Sequence, residues 1–326
     1  LYLRLQQWDK AVRAFLNAVR ISDGNPKYIF WLGRVEEQAG NSKAAEALYD
    51  QVIKKDADFW EAYAAKAQLF LDRAEYQEAL VLFTECLKYK PEDPDLLNNV
   101  GLCFLGLNEL HGARQYLADA VQRKPGDGHI RYNFATVLIR FGDYDNALLQ
   151  LFKLKDKGNA PVQMALGYCF GMLKEYEESI NCYLEALRLE PGNQEAMKNL
   201  AAIYAQDKQF KQALQLMKDL LRINPQDAEL LNNMAWIHEA MAQYPEAEKN
   251  YYRGLVASGG SPEIAHNLIF CLKRQKKLLE ALDLVKYLEK KPEQTDLYWS
   301  ALAQIYEDFG ANNLAVDCYN KFLGLE

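Results

Sequence analysis

Long apolar runs are missing from this chain. None of its segments approaches the roughly 18 unbroken apolar residues that a membrane-spanning helix requires, so this stretch is not expected to insert into a bilayer. Positive charge is in deficit, with 38 Lys and Arg against 45 Asp and Glu and a net charge of −7. A nucleic-acid partner is therefore not expected, because phosphate contacts need clustered cations. Histidine is scarce: His111, His129, His238 and His266 stand far apart, with no nucleophile or carboxylate set around them. The sequence also lacks GxSxG, GxGxxG and GxxxxGK[ST], which excludes the common nucleophile turn and phosphate cradles. The one glycine-rich stretch, SGGSPE at 258–263, needs only turn chemistry. Six cysteines without a CxxC or HExxH pattern make neither a zinc site nor a disulfide framework. No enzyme activity, metal or cofactor is expected from these residues.

What the chain has is a period. Ala11, Ala45, Ala79, Ala113 and Ala147 stand 34 residues apart; Ser179 follows after 32, and Ala213, Ala247, Ala281 and Ala315 resume the interval of 34. Twelve residues before most of these lies a second small residue, in the series Gly33, Ala67, Gly101, Ala135, Gly167, Ala201, Ala235 and Ala303, with Ile269 as the exception. Four residues after each Ala or Ser comes a larger one, among them Tyr49, Phe83, Leu117, Tyr183, Met217 and Tyr251. Small residues let two helices approach and a bulky one fills the groove beside them. Pro91, Pro125, Pro191 and Pro225 each stop a second helix, since proline has no N–H to continue it. Cysteine follows the same register: Cys103, Cys169 and Cys271 share one place and Cys182 and Cys318 another. That is how small buried packing residues behave. Reduced thiols are expected, Cys169 and Cys182 included, which favours the cytoplasm and leaves the periplasm open.

Within a unit such as 94–127, Leu97, Val100, Gly101 and Phe104 run i, i+3, i+4, i+7 along one helical face. Gly40, Asn108, Gly142 and Gly310 then mark turns, and Trp8, Tyr76, Tyr144, Tyr176, Phe210 and Tyr244 mark the starts of second helices. The pattern resembles the tetratricopeptide repeat, a 34-residue helix–turn–helix with W-x2-L-G-x2-Y…A-x3-F…P. In 94–127 the resemblance rests on Leu97, Val100, Gly101, Phe104, Ala113, Leu117, Ala120 and Pro125. It implies an all-α fold, a right-handed superhelical solenoid over 1–326 with a partial repeat at 1–25. Full repeats begin at 26, 60, 94, 128, 160, 194, 228, 262 and 296. The repeat from 128 is two residues short, and Gly158 is expected to end its second helix early. Ile269 is expected to hold its two helices slightly farther apart. Leu1 falls inside a first helix and no further helix covers Phe322 and Leu323, so the chain reads as part of a longer protein.

With each repeat numbered from its first residue, the buried set occupies places 4, 7, 8 and 11, and places 2, 5, 6, 9, 12 and 13 lie away from it. Place 6 carries Asn99, Asn133, Asn199, Asn233 and Asn267; Asn98 and Asn232 precede two of them at place 5. Asparagine is a mediocre helix former, so helix stability does not call for it. Its amide can instead bridge the C=O and N–H of an extended peptide. The column resembles the asparagine ladder of the O-linked N-acetylglucosamine transferases and the peroxisomal import receptor. On that resemblance these five amides hold a ligand backbone at a partly accessible surface. Place 9 adds an apolar row of Leu102, Tyr168, Trp236 and Phe270, where an uncovered apolar face marks an interaction site. Leu105 and Ile139 are expected to be more covered than Trp236 and Phe270.

The clamp that tetratricopeptide co-chaperones close on acidic tails is not matched, since the sole place-5 lysine, Lys198, is accompanied by Ala202 at place 9. The basic segment 271–291 is read as a solvated face pairing with Glu239, Glu307 and Asp308. The expected function is a non-catalytic scaffold that binds an extended segment of another protein in a concave groove. The alternatives are a structural part of a secretion, pilus or motility assembly, or the substrate-selecting half of an enzyme such as a glycosyltransferase. Oligomeric state is left open.

Overall fold

Small residues at places 8 and 20 dictate helical hairpins, and hairpins are what the chain forms. The computed structural model describes residues 7–154, 158–289 and 296–325, and among these there are nineteen α-helices and no strand. Contacts divide the chain into two compact units, 1–173 and 174–326.

The first unit holds α1 (Trp8–Ile21), α2 (Pro26–Gln38), α3 (Ser42–Lys55), α4 (Trp60–Asp72), α5 (Tyr76–Tyr89), α6 (Pro94–Gly106), α7 (Leu110–Arg123), α8 (Gly128–Phe141), α9 (Tyr144–Phe152) and α10 (Ala160–Met172). Within the unit each packs on its chain neighbours, and α6 and α10 also touch α8. Ala79 and Phe83 of α5 are buried against Ala67 of α4 and Val100 and Cys103 of α6. Ala113 and Leu117 of α7 are buried with Val137 of α8. A Cβ built on Gly101 would stand 2.6 Å from Leu117 Cγ, which is why that crossing takes glycine. Full burial of a Leu or Phe side chain is worth roughly 1.5–3 kcal/mol, and a lone hairpin cannot supply it; the next one does.

The second unit holds α11 (Tyr176–Leu189), α12 (Gln194–Gln206), α13 (Phe210–Ile223), α14 (Ala228–Ala240), α15 (Tyr244–Ala257), α16 (Pro262–Arg274), α17 (Leu278–Glu289), α18 (Asp296–Asp308) and α19 (Asn312–Phe322). Ala213 and Met217 of α13 pack on Ala201 and Met234. Ala247 and Tyr251 of α15 join Ala235, Ile269 and Val285 in one cluster. Ile269 is fully buried opposite a valine, so the bulk that other repeats place at 24 has moved across to place 8.

Helix starts are fixed by side-chain caps. Asp93 accepts from Asp95 and Leu96 N–H, Asp127 from His129 and Ile130, Asn193 from Ala196 and Asp227 from Leu230. These bonds satisfy donors that a first turn otherwise leaves open. The expected role of Gly158 is corrected. Helix α9 ends at Phe152, where Leu154 N–H turns back to Leu151 O at 2.8 Å and the Leu154 side chain is buried. Gly158 has φ +57° but stands beyond that end, and 155–157 lie outside the described residues.

The turn inside each hairpin takes a left-handed residue at place 15. Gly40, Gly142 and Gly310 meet this without cost, but Ala74, Lys174, Lys208, Ala242 and Lys276 also hold φ between 57° and 65°. The turn is closed by a 6→1 bond, as from Gln243 N–H to His238 O at 2.8 Å. A side chain in this region costs about 1–2 kcal/mol, against about 0.4–1 kcal/mol that glycine loses through the unfolded chain. Ala242→Gly is therefore expected to stabilise the second unit by roughly 0.5–1 kcal/mol, seen as a higher urea midpoint. A lower midpoint would show that the turn is not strained.

Candidate interaction site

Places 5 and 6 lie on the first helix of each repeat, and their cover varies: Phe30 at place 5 packs 5.8 Å from Tyr49 of its partner helix, and Ala65 at place 6 is buried with Ala45 and Tyr49 of α3. In the first unit Asn98 of α6 is buried (9% exposed), whereas Asn99 and Asn133 are half-buried. Asn133 Nδ2 donates to Asn98 Oδ1 at 2.8 Å, and Asn98 Nδ2 donates to Asn99 Oδ1 at 3.0 Å. Asn99 Nδ2 reaches Gln68 Oε1 at 3.5 Å. The Asn98 amide thus links two successive repeats. In the second unit the bond recurs, with Asn267 Nδ2 donating to Asn232 Oδ1 at 3.0 Å.

The paired asparagines thus have an internal reason. An Asn at place 5 accepts from an Asn at place 6 of the next repeat, 35 residues on. The spacing of Asn98 to Asn133 and of Asn232 to Asn267 carries this signal in the sequence. Asn233 has no such partner. The preceding place 5 is Lys198, whose ammonium turns to Asp227 Oδ2 at 2.9 Å. Burial acts to raise the Asp227 pKa, but Lys198 and the Leu230 N–H outweigh it and hold the carboxyl below its usual value. Asn199 and Asn233 are both half-buried and make no side-chain hydrogen bond to a described residue.

The place-9 row is uneven. Trp236 is 51% exposed and Tyr168 42%, the latter edge-on to Tyr144 at 6.3 Å. Leu102 is half-buried. Phe270, expected to be open, is half-buried like Leu105 and Ile139, because His266 lies 4.6 Å from its ring and Lys273 Nζ 5.4 Å over it. Three cations of the basic segment are engaged: Lys273 pairs with Asp308 at 2.9 Å, Arg274 with Glu239 at 3.3 Å and Lys277 with Glu248 at 2.8 Å. Of the acids expected as partners, Glu307 instead accepts from the Tyr319 hydroxyl at 3.2 Å.

A second repeating couple escaped sequence reading. Tyr49, Tyr251 and Tyr319 at place 24 donate to Glu37, Glu239 and Glu307 at place 12, over 2.5, 3.1 and 3.2 Å. Where place 24 is Phe83, Leu117 or Leu151, place 12 is Leu71, Leu105 or Ile139. A buried phenol needs an acceptor; an apolar side chain needs an apolar neighbour. All six cysteines are buried thiols and no disulfide forms. No described helix is long and apolar enough to cross a membrane.

Comparison with known proteins agrees with this architecture. Tetratricopeptide-repeat families match residues 172–237 and 204–251 and residues 1–63. The Psidin N-terminal TPR-repeat region matches 37–161. The chain is similar to BBSome complex member BBS4 of Bos taurus, 26% identical over 198 residues, covering 60% of this chain and 38% of that protein. It therefore spans well under half the length of that relative. Among solved structures it is similar to a tetratricopeptide repeat protein from Parabacteroides merdae, with TM-score 0.58, 14% identity and coverage of 76% and 98% of the two chains. It is also similar to YrrB, described as a TPR protein with an unusual peptide-binding site, with TM-score 0.51, 23% identity and coverage of 57% and 97%. Both structural likenesses concern the fold.

Proposed function

Because this chain is built of tetratricopeptide repeats, we propose that it is a non-catalytic scaffold that holds an extended segment of another protein on its first-helix face. The observation that carries the reading is the pair Asn199 and Asn233 beside Trp236 in the second unit. Both amides are accessible and uncommitted, and the indole is exposed. Each amide has one acceptor and two donors, enough to bridge a peptide C=O and N–H regardless of its side chains. Trp236 supplies the rigid anchor that dominates such interfaces. Asn133 and Asn267 contribute less in this reading, since one of their donors already holds the neighbouring repeat. In the second unit Lys198, Lys273 and Arg274 on the first helices are paired with acids, which fits a segment that is not strongly acidic.

A second reading, a structural part of a larger assembly, is favoured by the similarity to a protein named as a member of the BBSome complex.

The test is to select unstructured peptides on the wild-type chain from a display library and titrate the tightest against variants. Asn199→Ala with Asn233→Ala is expected to weaken binding by about 1 kcal/mol per amide, and Trp236→Ala by about 2 kcal/mol or more. Unchanged melting curves would show that folding is intact, as alanine favours helix. Peptides that bind all variants equally would place the interaction on another surface and leave the assembly reading in front.

A further inference from the structure

The second helices of the second unit carry an apolar patch that the first-helix face does not explain. Place 29 is Lys54, Lys88, Arg188 and Arg222 in four repeats, the solvated residue expected near a helix C-terminus, but it is Val256 in α15. Val256 is 80% exposed, and one turn before it Tyr252 is 40% exposed. A β-branched apolar residue gains nothing there from helix propensity.

Tyr252 stands between two clefts. One, of about 540 Å³, is lined by Pro225, Leu231, Arg253 and Val256 among others. The other, of about 380 Å³, is lined by Leu255, Glu280, Asp283 and Leu284 besides Tyr252. The cation and the acids are thus on opposite sides of one aromatic ring. Arg253 has no carboxylate partner among the described residues, only a 3.4 Å contact to Asn250 Oδ1. Among the described residues Glu280 makes no ion pair, and Asp283 meets only Lys286 of its own helix, at 3.6 Å.

A patch with an apolar centre, a cation on one side and acids on the other is complementary to itself under a two-fold rotation, which is what an isologous interface requires. We propose that this face, centred on Tyr252, joins two copies of this chain. The rotation lays the Val256 side of one copy on the Glu280 side of the other. Val256 then enters the cleft between the partner's Tyr252 and Leu284, and Arg253 meets the partner's Glu280 and Asp283. The charges set register more than affinity, and the apolar insertion supplies the affinity. The peptide-holding amides of the first-helix face take no part.

Sedimentation equilibrium of the whole chain, taken to roughly 100 µM or above, tests this. The expected result is a reversible monomer–dimer equilibrium that Val256→Lys, the residue type of the sister repeats, weakens about tenfold or more. Arg253→Glu is expected to weaken it too, and Arg253→Glu combined with Glu280→Arg to recover it, because the pair is then reversed rather than broken. Both positions are solvent-facing, so circular dichroism should be unchanged in every variant. Asn233→Ala should dimerise as the wild type does. A chain that stays monomeric throughout, or a Val256→Lys variant that dimerises like the wild type, overturns the proposal.

Discussion

Alkaline solution is expected to unfold this protein steeply, beginning near pH 9 and well below the point at which its buried groups would ionise in place. Burial pushes the Cys86 and Cys103 thiols up to about 12 and Cys271 up to about 11. Tyr49 and Tyr251 are raised as well, by burial first and then by the carboxylates of Glu37 and Glu239 that accept their protons. In each case the fold favours the neutral form. Stability from these groups is therefore complete below their unfolded values, about 8.5 for cysteine and 10 for tyrosine, and is lost as pH rises toward the folded ones. Each group contributes up to about 1.4 kcal/mol per pH unit in that window. Urea denaturation at about pH 8 and pH 11 should show the midpoint collapsing. Cys103→Ala and Tyr251→Phe should each flatten the slope. A midpoint independent of pH up to about 11 would mean that these groups ionise without unfolding.

Ala113→Trp is expected to be the most damaging single substitution at a hairpin crossing. Ala113 is fully buried, packed with Leu117 and Val137 where α7 meets α6 and α8. Overpacking of this kind costs roughly 1–3 kcal/mol or more. Because each hairpin leans mainly on its neighbours, the loss should be local and should divide one melting transition into two. Cys86→Ala, which removes one small buried group, should be mild beside it. A tryptophan variant that melts like the wild type would place Ala113 outside the tight crossing.

The helical hairpins were legible because period and residue size are one-dimensional signals: a small residue every 34, a bulky one four later, a proline at the close. Helices α5, α9, α11, α13 and α15 begin at the aromatics picked out as their starts. What was not legible depends on distances between side chains that no period encodes. The bond from Asn133 to Asn98 and the phenol–carboxylate couples are of this kind. The left-handed turns at Ala74, Lys208 and Ala242 were hidden for another reason: their residues do not prefer that conformation, and the closing bond of the turn imposes it. The end of α9 follows burial of Leu154 rather than the freedom of Gly158, and burial at a single non-periodic residue leaves no mark in the sequence. Asn199 and Asn233 differ from Asn133 and Asn267 in having no internal amide partner among the described residues, a difference set by packing and not by the repeat period.

The two recurrent couples differ in what they allow a repeat gene segment to do. The tyrosine–glutamate bond closes inside one repeat, from 49 to 37 or from 251 to 239, so a segment carrying it can be duplicated or moved without losing it. The asparagine bond crosses a repeat boundary, so one of its halves is useful only when the right neighbour precedes it. Exchanging the repeat at 94–127 for one without a place-5 asparagine would strand Asn133, whereas exchanging it for 228–261 would preserve the link. Recombination within this chain is thereby constrained in order as well as in length: some repeats are interchangeable words, and others are legible only in sequence.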